Sequence, residues 1–144
     1  MGGVFIAVAL FALFLAPCGK AYAAETAEMK RGILLVAFGS SVPEGQAAIS
    51  AVEGAVKRAY PETEVRVAFT SRIIMRKIAR EQDKLIDEPA IALAKMAYEG
   101  FTHVAVLSTH IIPGAEYQDL EAVVDGFRVM RERGTKAGFE YIGL

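Results

Sequence analysis

The chain has 144 residues, 53% of them apolar, and a formal net charge of −1. This length allows one domain or one lobe of a larger protein, and the charge balance offers no basic face for nucleic acid. Cys18 is the only cysteine, so no disulfide can form within one chain.

The N-terminal segment has the pattern of an export signal. Residues 4–16 form an almost unbroken apolar run that is short for a membrane span, and Ala21 and Ala23 follow at the spacing that signal peptidase cleaves. We therefore predict a periplasmic protein without stable membrane insertion after cleavage. The predicted divisions of the chain are a signal peptide over 1–23, a linker over 24–31 and a folded lobe over 32–144.

Two alternatives stay open for this segment. A lipoprotein signal would attach a lipid at Cys18, although Pro17 fits that motif poorly. A retained anchor or an incidental apolar tail is the other alternative, because no Lys or Arg precedes the apolar run.

The rest of the chain alternates strand and helix patterns. Continuous or alternating apolar residues predict strands, and apolar residues that recur every three or four positions predict helices. In chain order we predict a strand at 33–38, a helix at 46–60, a strand at 65–69, a helix from 72, a helix at 89–98, a strand at 104–107, a helix at 116–133 and a strand at 139–144.

Local residues predict where the helices begin. Pro43 can open the first helix, and Thr70-Ser71 can cap the second. Asp87-Glu88 predicts an acidic cap for the third helix, with Pro89 in its first turn.

The second helix has two contrasting sides. Ile73, Ile74 and Ile78 are predicted along its apolar side. The other side carries arginines four residues apart: Arg72, Arg76 and Arg80. Such a side is typical of a solvated face, and a carboxylate-binding face is the alternative, for which Arg72 is the best candidate.

The order β-α-β-α-α-β-α-β predicts a three-layer α/β lobe, in which a parallel sheet has helices on both faces. Ligands of such sheets bind at the carboxyl ends of the strands. Three loops rich in small or polar residues occupy that edge: 39–41, 70–72 and 109–117. The chain stops inside its last predicted strand, so we expect a truncated lobe.

The first two loops each have a structural and a functional interpretation. Gly39-Ser40-Ser41 is either a tight turn with a helix cap or a set of NH and hydroxyl groups for an anionic ligand. It matches neither a Walker loop nor a dinucleotide fingerprint. Thr70-Ser71 is either a plain cap or part of the same site.

The third loop holds His110 directly after a strand. This imidazole is either a structural hydrogen-bonding group or a functional one that binds a metal, accepts a proton or ligates a haem iron. Glu116 and Tyr117 can face the same cleft. One His and one Glu do not complete a metal site, which needs three or more ligands. His103, at the other end of the strand, is interpreted as structural.

Three stretches, in order, resemble the anaerobic CbiK-type sirohydrochlorin cobaltochelatases. Residues 34–41 are similar to that family's opening strand and Phe-Gly-Thr-Ser turn, 68–77 to its second strand and helix, and 110–117 to its His-Ile-Ile-x-Gly-x-Glu-Tyr. The resemblance covers about 31–144. Ser40 replaces a usual Thr, and Ala115 replaces a usual acidic residue.

The resemblance implies two similar α/β lobes with the tetrapyrrole in the cleft between them. It implies an enzyme, some members of which are exported, that inserts Co²⁺ into sirohydrochlorin in cobalamin biosynthesis. The family's metal-binding His-Glu-His set belongs to the second lobe, so we expect this chain alone to be inactive. The residues that the resemblance assigns to the first-lobe wall of the cleft are Gly39, Ser40, Ser41, Thr70, Ser71, His110, Pro113, Gly114, Glu116 and Tyr117.

Two other classes stay open. One is a single-lobe chelatase that works as a homodimer, although such proteins carry a His where this chain has Phe38-Gly39-Ser40. The other is a non-catalytic periplasmic module that binds haem, another tetrapyrrole or a metal through His110. The sequence determines neither the physiological metal, among cobalt, nickel and iron, nor a homo-oligomeric state.

Overall fold

The computed structural model describes residues 29–135 and 138–144. The predicted signal peptide, its cleavage site, Cys18 and most of the predicted linker lie outside the described residues. Within the described ranges, no helix is long and apolar enough to cross a membrane.

The order of strands and helices predicted from the sequence is confirmed. The elements are β1 (Arg31–Ala37), α1 (Pro43–Ala59), β2 (Glu64–Phe69), α2 (Arg72–Gln82), α3 (Pro89–Tyr98), β3 (His103–Ser108), α4 (Ala115–Glu132) and β4 (Tyr141–Gly143). The largest shifts from prediction are at α1, which begins three residues earlier because Pro43 occupies its first turn, and at β4, which is shorter.

The four strands form one sheet in the order β2-β1-β3-β4, and every pair is parallel. Ala37 lies opposite Phe69, and Val36 lies opposite Ser108. The carboxyl ends of β1, β2 and β3 therefore meet at one edge, which we call the loop edge. The predicted gathering of the three polar loops at this edge is confirmed.

Helices cover both faces of the sheet, as predicted. On one face Leu34 and Val104 are fully buried in a core cluster that includes Leu93 of α3 and Leu120 of α4. On the other face α1 and α2 pack against the alternate residues of β1 and β2. Helices α1 and α2 do not extend over β3 and β4, and Leu107 of β3 is therefore 42% exposed on this face.

One prediction about α2 is wrong, and the predicted start of α3 is confirmed in position but not in its side-chain cap. Ile73 is 73% exposed, whereas Ile78 is fully buried, because the buried stripe of α2 runs through Ile74 and Ile78 at a four-residue spacing. Glu88 occupies the cap position of α3, but its side chain makes no capping hydrogen bond. Its carboxylate instead accepts a hydrogen bond from Arg72 Nε at 3.0 Å.

Candidate functional site

Backbone hydrogen bonds between neighbouring strands continue into the first residues of the loops at the loop edge. The Thr70 N–H donates to Ala37 O at 2.9 Å, and the Ser71 N–H donates to Phe38 O at 3.1 Å. On the other side of β1, the Thr109 N–H donates to Val36 O at 2.9 Å. The three loops therefore leave the sheet at the same level, which brings their side chains together.

Gly39 makes the turn after β1, and only glycine fits there. Its φ is +102°, which L-residues rarely adopt, and a Cβ at this position would lie 2.6 Å from Cδ2 of Phe69. The chain therefore changes direction directly after β1, and it does so in close contact with Phe69, the last residue of β2.

Ser40 and Ser41 serve the same turn. The Ser40 hydroxyl accepts a hydrogen bond from the Val42 N–H at 3.2 Å and lies 3.3 Å from the Val42 carbonyl oxygen. The carbonyl oxygens of Ser40 and Ser41 accept hydrogen bonds from Gln46 and Gln82. The tight turn is present, but the helix cap predicted here is wrong, because α1 begins after Val42 without a side-chain cap.

Thr70 and Ser71 have different roles at the end of β2. Ser71 is the predicted cap of α2, and its hydroxyl accepts a hydrogen bond from the Ile74 N–H at 3.5 Å. The Thr70 hydroxyl instead faces the third loop, where its Oγ1 lies 3.1 Å from Nε2 of His110.

His110 is half-buried at the centre of the loop edge, with both ring nitrogens bonded. Nε2 contacts Thr70, and Nδ1 lies 2.9 Å from the hydroxyl of Ser108. That hydroxyl also accepts the His110 backbone N–H at 3.1 Å, and the ring of Tyr117 stands edge-on at 6.5 Å between centroids. Because each hydroxyl can donate or accept, either neutral tautomer satisfies this arrangement. A metal or haem iron would have to displace one of these hydroxyls to bind His110.

The remaining predicted site residues belong to the start of α4. Gly114 is the cap residue, and Glu116 and Tyr117 lie in the first turn. Pro113 is exposed just before them. Glu116 lines an open cleft of about 460 Å³ together with Thr70 and Ser71, so the second and third loops share one cavity.

The charges in this cleft are mostly negative. Glu88, Glu116 and Asp119 line it, against a single arginine, Arg72, which is paired with Glu88. The described parts of the chain contain no group of three or more His, Cys, Asp or Glu side chains that could hold a metal ion. His103 lies at the opposite edge, where it contacts the Thr102 hydroxyl and stacks on Tyr141, as its structural interpretation predicted.

Large apolar side chains are exposed in the first and third loops or next to them. Ile111 is 96% exposed, Ile112 is 76% exposed and Phe38 is 46% exposed. Exposed apolar groups that cluster around polar ones are typical of a binding surface.

Sequence reasoning missed three residues of this site. The hydroxyl of Ser108 contacts Nδ1 of His110. The sequence signal for this contact was that Ser108 lies two residues before His110. Glu88 was interpreted as a cap, and its contact with Arg72 depends on the fold. Asp119 lies one turn after Glu116 on α4, a spacing that places both carboxylates on one side of the helix.

The structure is a parallel α/β lobe with its polar loops gathered at the strand edge where domains of this class bind their ligands, and comparison with known proteins gives the family. The family model described as cobalt chelatase (CbiK) matches residues 31–135. The chain belongs to the CbiK cobalt chelatase family.

Two curated relatives are similar to this chain. Sirohydrochlorin cobaltochelatase CbiKC of Nitratidesulfovibrio vulgaris is 48% identical over 99 residues, which cover 69% of this chain and 35% of the relative. The sirohydrochlorin cobaltochelatase of Salmonella typhimurium is 36% identical over 108 residues, or 74% of this chain and 41% of the relative. The chain thus matches about two fifths or less of the length of these relatives.

Proposed function

We propose that this chain forms the first lobe of a sirohydrochlorin cobaltochelatase, an enzyme that inserts Co²⁺ into sirohydrochlorin. The observation that carries the proposal is the convergence of three family-matching loops on one edge, where Thr70 and His110 are in contact. The names of both curated relatives supply the substrate and the metal.

The reaction exchanges a divalent metal for two pyrrole N–H protons, so it needs a base and ligands that release the metal. The described part of this lobe has no three-ligand metal group. We therefore assign it the grip on the macrocycle. In this proposal the exposed side chains of Ile111 and Ile112 contact the flat apolar face of the ring, and the fixed imidazole of His110 lies beside them.

A binding titration tests the grip. Sirohydrochlorin is added to the protein, and the absorbance of sirohydrochlorin is followed for wild type, Ile111→Ser and Tyr98→Ser. Tyr98 is a matched control because it is 94% exposed at the end of α3, away from the loop edge. Since burying an isoleucine side chain contributes about 1.5–3 kcal/mol, partial burial predicts an affinity about tenfold weaker for Ile111→Ser and unchanged for Tyr98→Ser. Equal affinities for the two variants would contradict the proposed contact.

A second experiment tests the division of labour. Cobalt insertion is followed by the absorbance change of sirohydrochlorin with this chain alone and with the chain joined to the remaining part of the Nitratidesulfovibrio vulgaris relative. We expect insertion only in the joined protein. Insertion by the chain alone would refute the assignment of metal delivery to another lobe.

The proposed role of His110 differs from ligation of a haem iron, which the proposal does not include. The comparisons give haem no support, and both nitrogens of the imidazole already have partners. A haem titration distinguishes the two, because a Soret shift in wild type that is lost in His110→Ala would establish a haem ligand.

We also propose that the protein is exported, on the basis of the apolar run at 4–16 and the Ala21-Tyr22-Ala23 pattern. N-terminal sequencing of the protein from the periplasmic fraction should begin at Ala24. A lipid-labelled protein whose label is lost in Cys18→Ser would replace this proposal with membrane anchoring.

A further inference from the structure

The exposed side of α2 next to the loop edge carries two arginines beside apolar side chains. Arg72 and Arg76 are one helical turn apart, both are exposed, and both line an open groove of about 350 Å³. Met75, Leu85 and Ile91 line the same groove. At a rise of about 1.5 Å per residue, the two arginine positions are about 6 Å apart along the helix.

The charges around this groove leave one arginine in excess. Of its two carboxylates, Glu88 accepts Arg72 Nε at 3.0 Å, and both oxygens of Asp87 accept Lys95 Nζ at 2.7 and 2.8 Å. Arg76 makes no hydrogen bond or salt bridge with any residue in the described ranges. Among the described residues, the guanidinium of Arg76 therefore has no partner, and that of Arg72 contacts Glu88 through Nε alone.

Arg72 and Glu88 also line the cleft that the second and third loops share, so the groove adjoins that cleft at this ion pair. The two cavities differ in charge. In the cleft, three carboxylates face the single arginine Arg72. In the groove, two arginines face two carboxylates, and one of these, Asp87, is already paired with Lys95. A ligand with an apolar centre and an acidic rim would be repelled by the cleft carboxylates and attracted over α2.

We propose that Arg76, with Arg72 beside it, binds the peripheral carboxylates of the tetrapyrrole substrate and selects for an acidic macrocycle. This inference rests on the proposed function, since sirohydrochlorin carries acetate and propionate groups around its ring. A guanidinium suits this role because it presents paired N–H donors that match a carboxylate. Glu88 limits the contribution of Arg72 by competing for its guanidinium.

The experiment compares porphyrins that differ in carboxylate number. Uroporphyrin, which has twice the carboxylates of coproporphyrin, and protoporphyrin, which has half as many as coproporphyrin, are titrated by fluorescence quenching into wild type, Arg76→Gln and Arg80→Gln. Arg80 is a matched control because it is exposed one turn further along α2 and does not line the groove. An exposed charged contact contributes modestly to binding, and more when it is bidentate, so Arg76→Gln should weaken uroporphyrin binding about three- to tenfold. Protoporphyrin binding should change less than twofold, and Arg80→Gln should match wild type for every porphyrin.

Two further measurements test the same arginines in other ways. One predicts tighter uroporphyrin binding, and the other predicts a difference in salt dependence. Glu88→Gln should free Arg72 and tighten uroporphyrin binding more than Glu81→Gln does, since Glu81 lies at the end of α2 outside the groove. Added salt should weaken wild-type binding more than Arg76→Gln binding.

The outcomes separate the two proposals. Wild type that binds sirohydrochlorin while Arg76→Gln and Arg80→Gln behave alike would overturn the role of the arginines and leave the proposed function standing. Wild type that binds neither sirohydrochlorin nor any of the porphyrins would overturn both.

Discussion

Gly39→Ala is the sharpest test of how the loop edge is built. The substitution places a Cβ 2.6 Å from Cδ2 of Phe69 and forces alanine to a φ of +102°. The unfavourable φ costs about 1–2 kcal/mol, and forcing the extra carbon into packed surroundings costs about 1–3 kcal/mol. We therefore expect a loss of about 2–5 kcal/mol in the free energy of unfolding, a large part of the 5–15 kcal/mol typical of a domain.

Urea and thermal unfolding of the protein, followed by circular dichroism, measure this loss. For a domain of this size it corresponds to a melting temperature lower by about 10–20 °C. Gly126→Ala is the matched control, because Gly126 lies inside α4 and its added Cβ would meet no atom within 4 Å apart from its chain neighbours and the backbone of its own helix. Alanine there should stabilise the protein by about 0.5–1 kcal/mol.

A double substitution separates the two causes. In a Phe69→Ala background the Cγ and Cδ2 atoms that the added Cβ would meet are absent, so the Gly39→Ala penalty should shrink by the steric part and keep the part due to φ. A Gly39→Ala protein within about 0.5 kcal/mol of wild type, a difference usual for surface substitutions, would refute the account of this turn.

Three other changes test single contacts. Ser71→Ala removes the cap of α2 and should lower the free energy of unfolding by about 0.5–1 kcal/mol in urea titrations, whereas Ser71→Asp should retain most of it. Thr70→Val leaves a half-buried nitrogen of His110 without its hydroxyl partner, at a cost of about 1 kcal/mol, and should change the tautomer balance seen by imidazole NMR, whereas Thr70→Ser should preserve it. The hydrogen bond from Arg66 holds the pKa of Glu99 below its ordinary value of 4.5, so the pair stabilises the fold above that pH and the gain is lost as pH falls further. Wild type should therefore lose stability more steeply than Glu99→Gln below about pH 4.5, and parallel acid curves would contradict this assignment.

The elements of this fold were predictable because short-range chemistry sets most of them. Pro43 and Pro89 each lie in the first turn of a helix. Their ring fixes φ at a helical value, and the N–H that they lack would have no partner within the helix at this position. Strand β1 was visible as a continuous apolar run because helices cover both of its faces. Ile73 was misplaced because a run of two isoleucines does not say which of them faces the core.

The side-chain contacts of the site were not predictable in the same way. Thr70 and His110 are 40 residues apart in sequence, and their contact depends on the order of the strands. Arg72 and Glu88 each carried a local interpretation, as an exposed arginine and a helix cap, and the ion pair between them appears only when α2 and α3 begin side by side.

The contact between Thr70 and His110 ties the site to the turn at Gly39. Strands β2 and β3 are separated by β1, so their ends are about 10 Å apart, yet Thr70 Oγ1 lies 3.1 Å from His110 Nε2. The second and third loops therefore meet over the end of β1, which requires the chain leaving β1 to turn aside at once. The positive φ of Gly39 provides that turn, and Phe69, the residue before Thr70, packs against it. For the proposed function, the imidazole is thus fixed by the lobe itself before any tetrapyrrole binds.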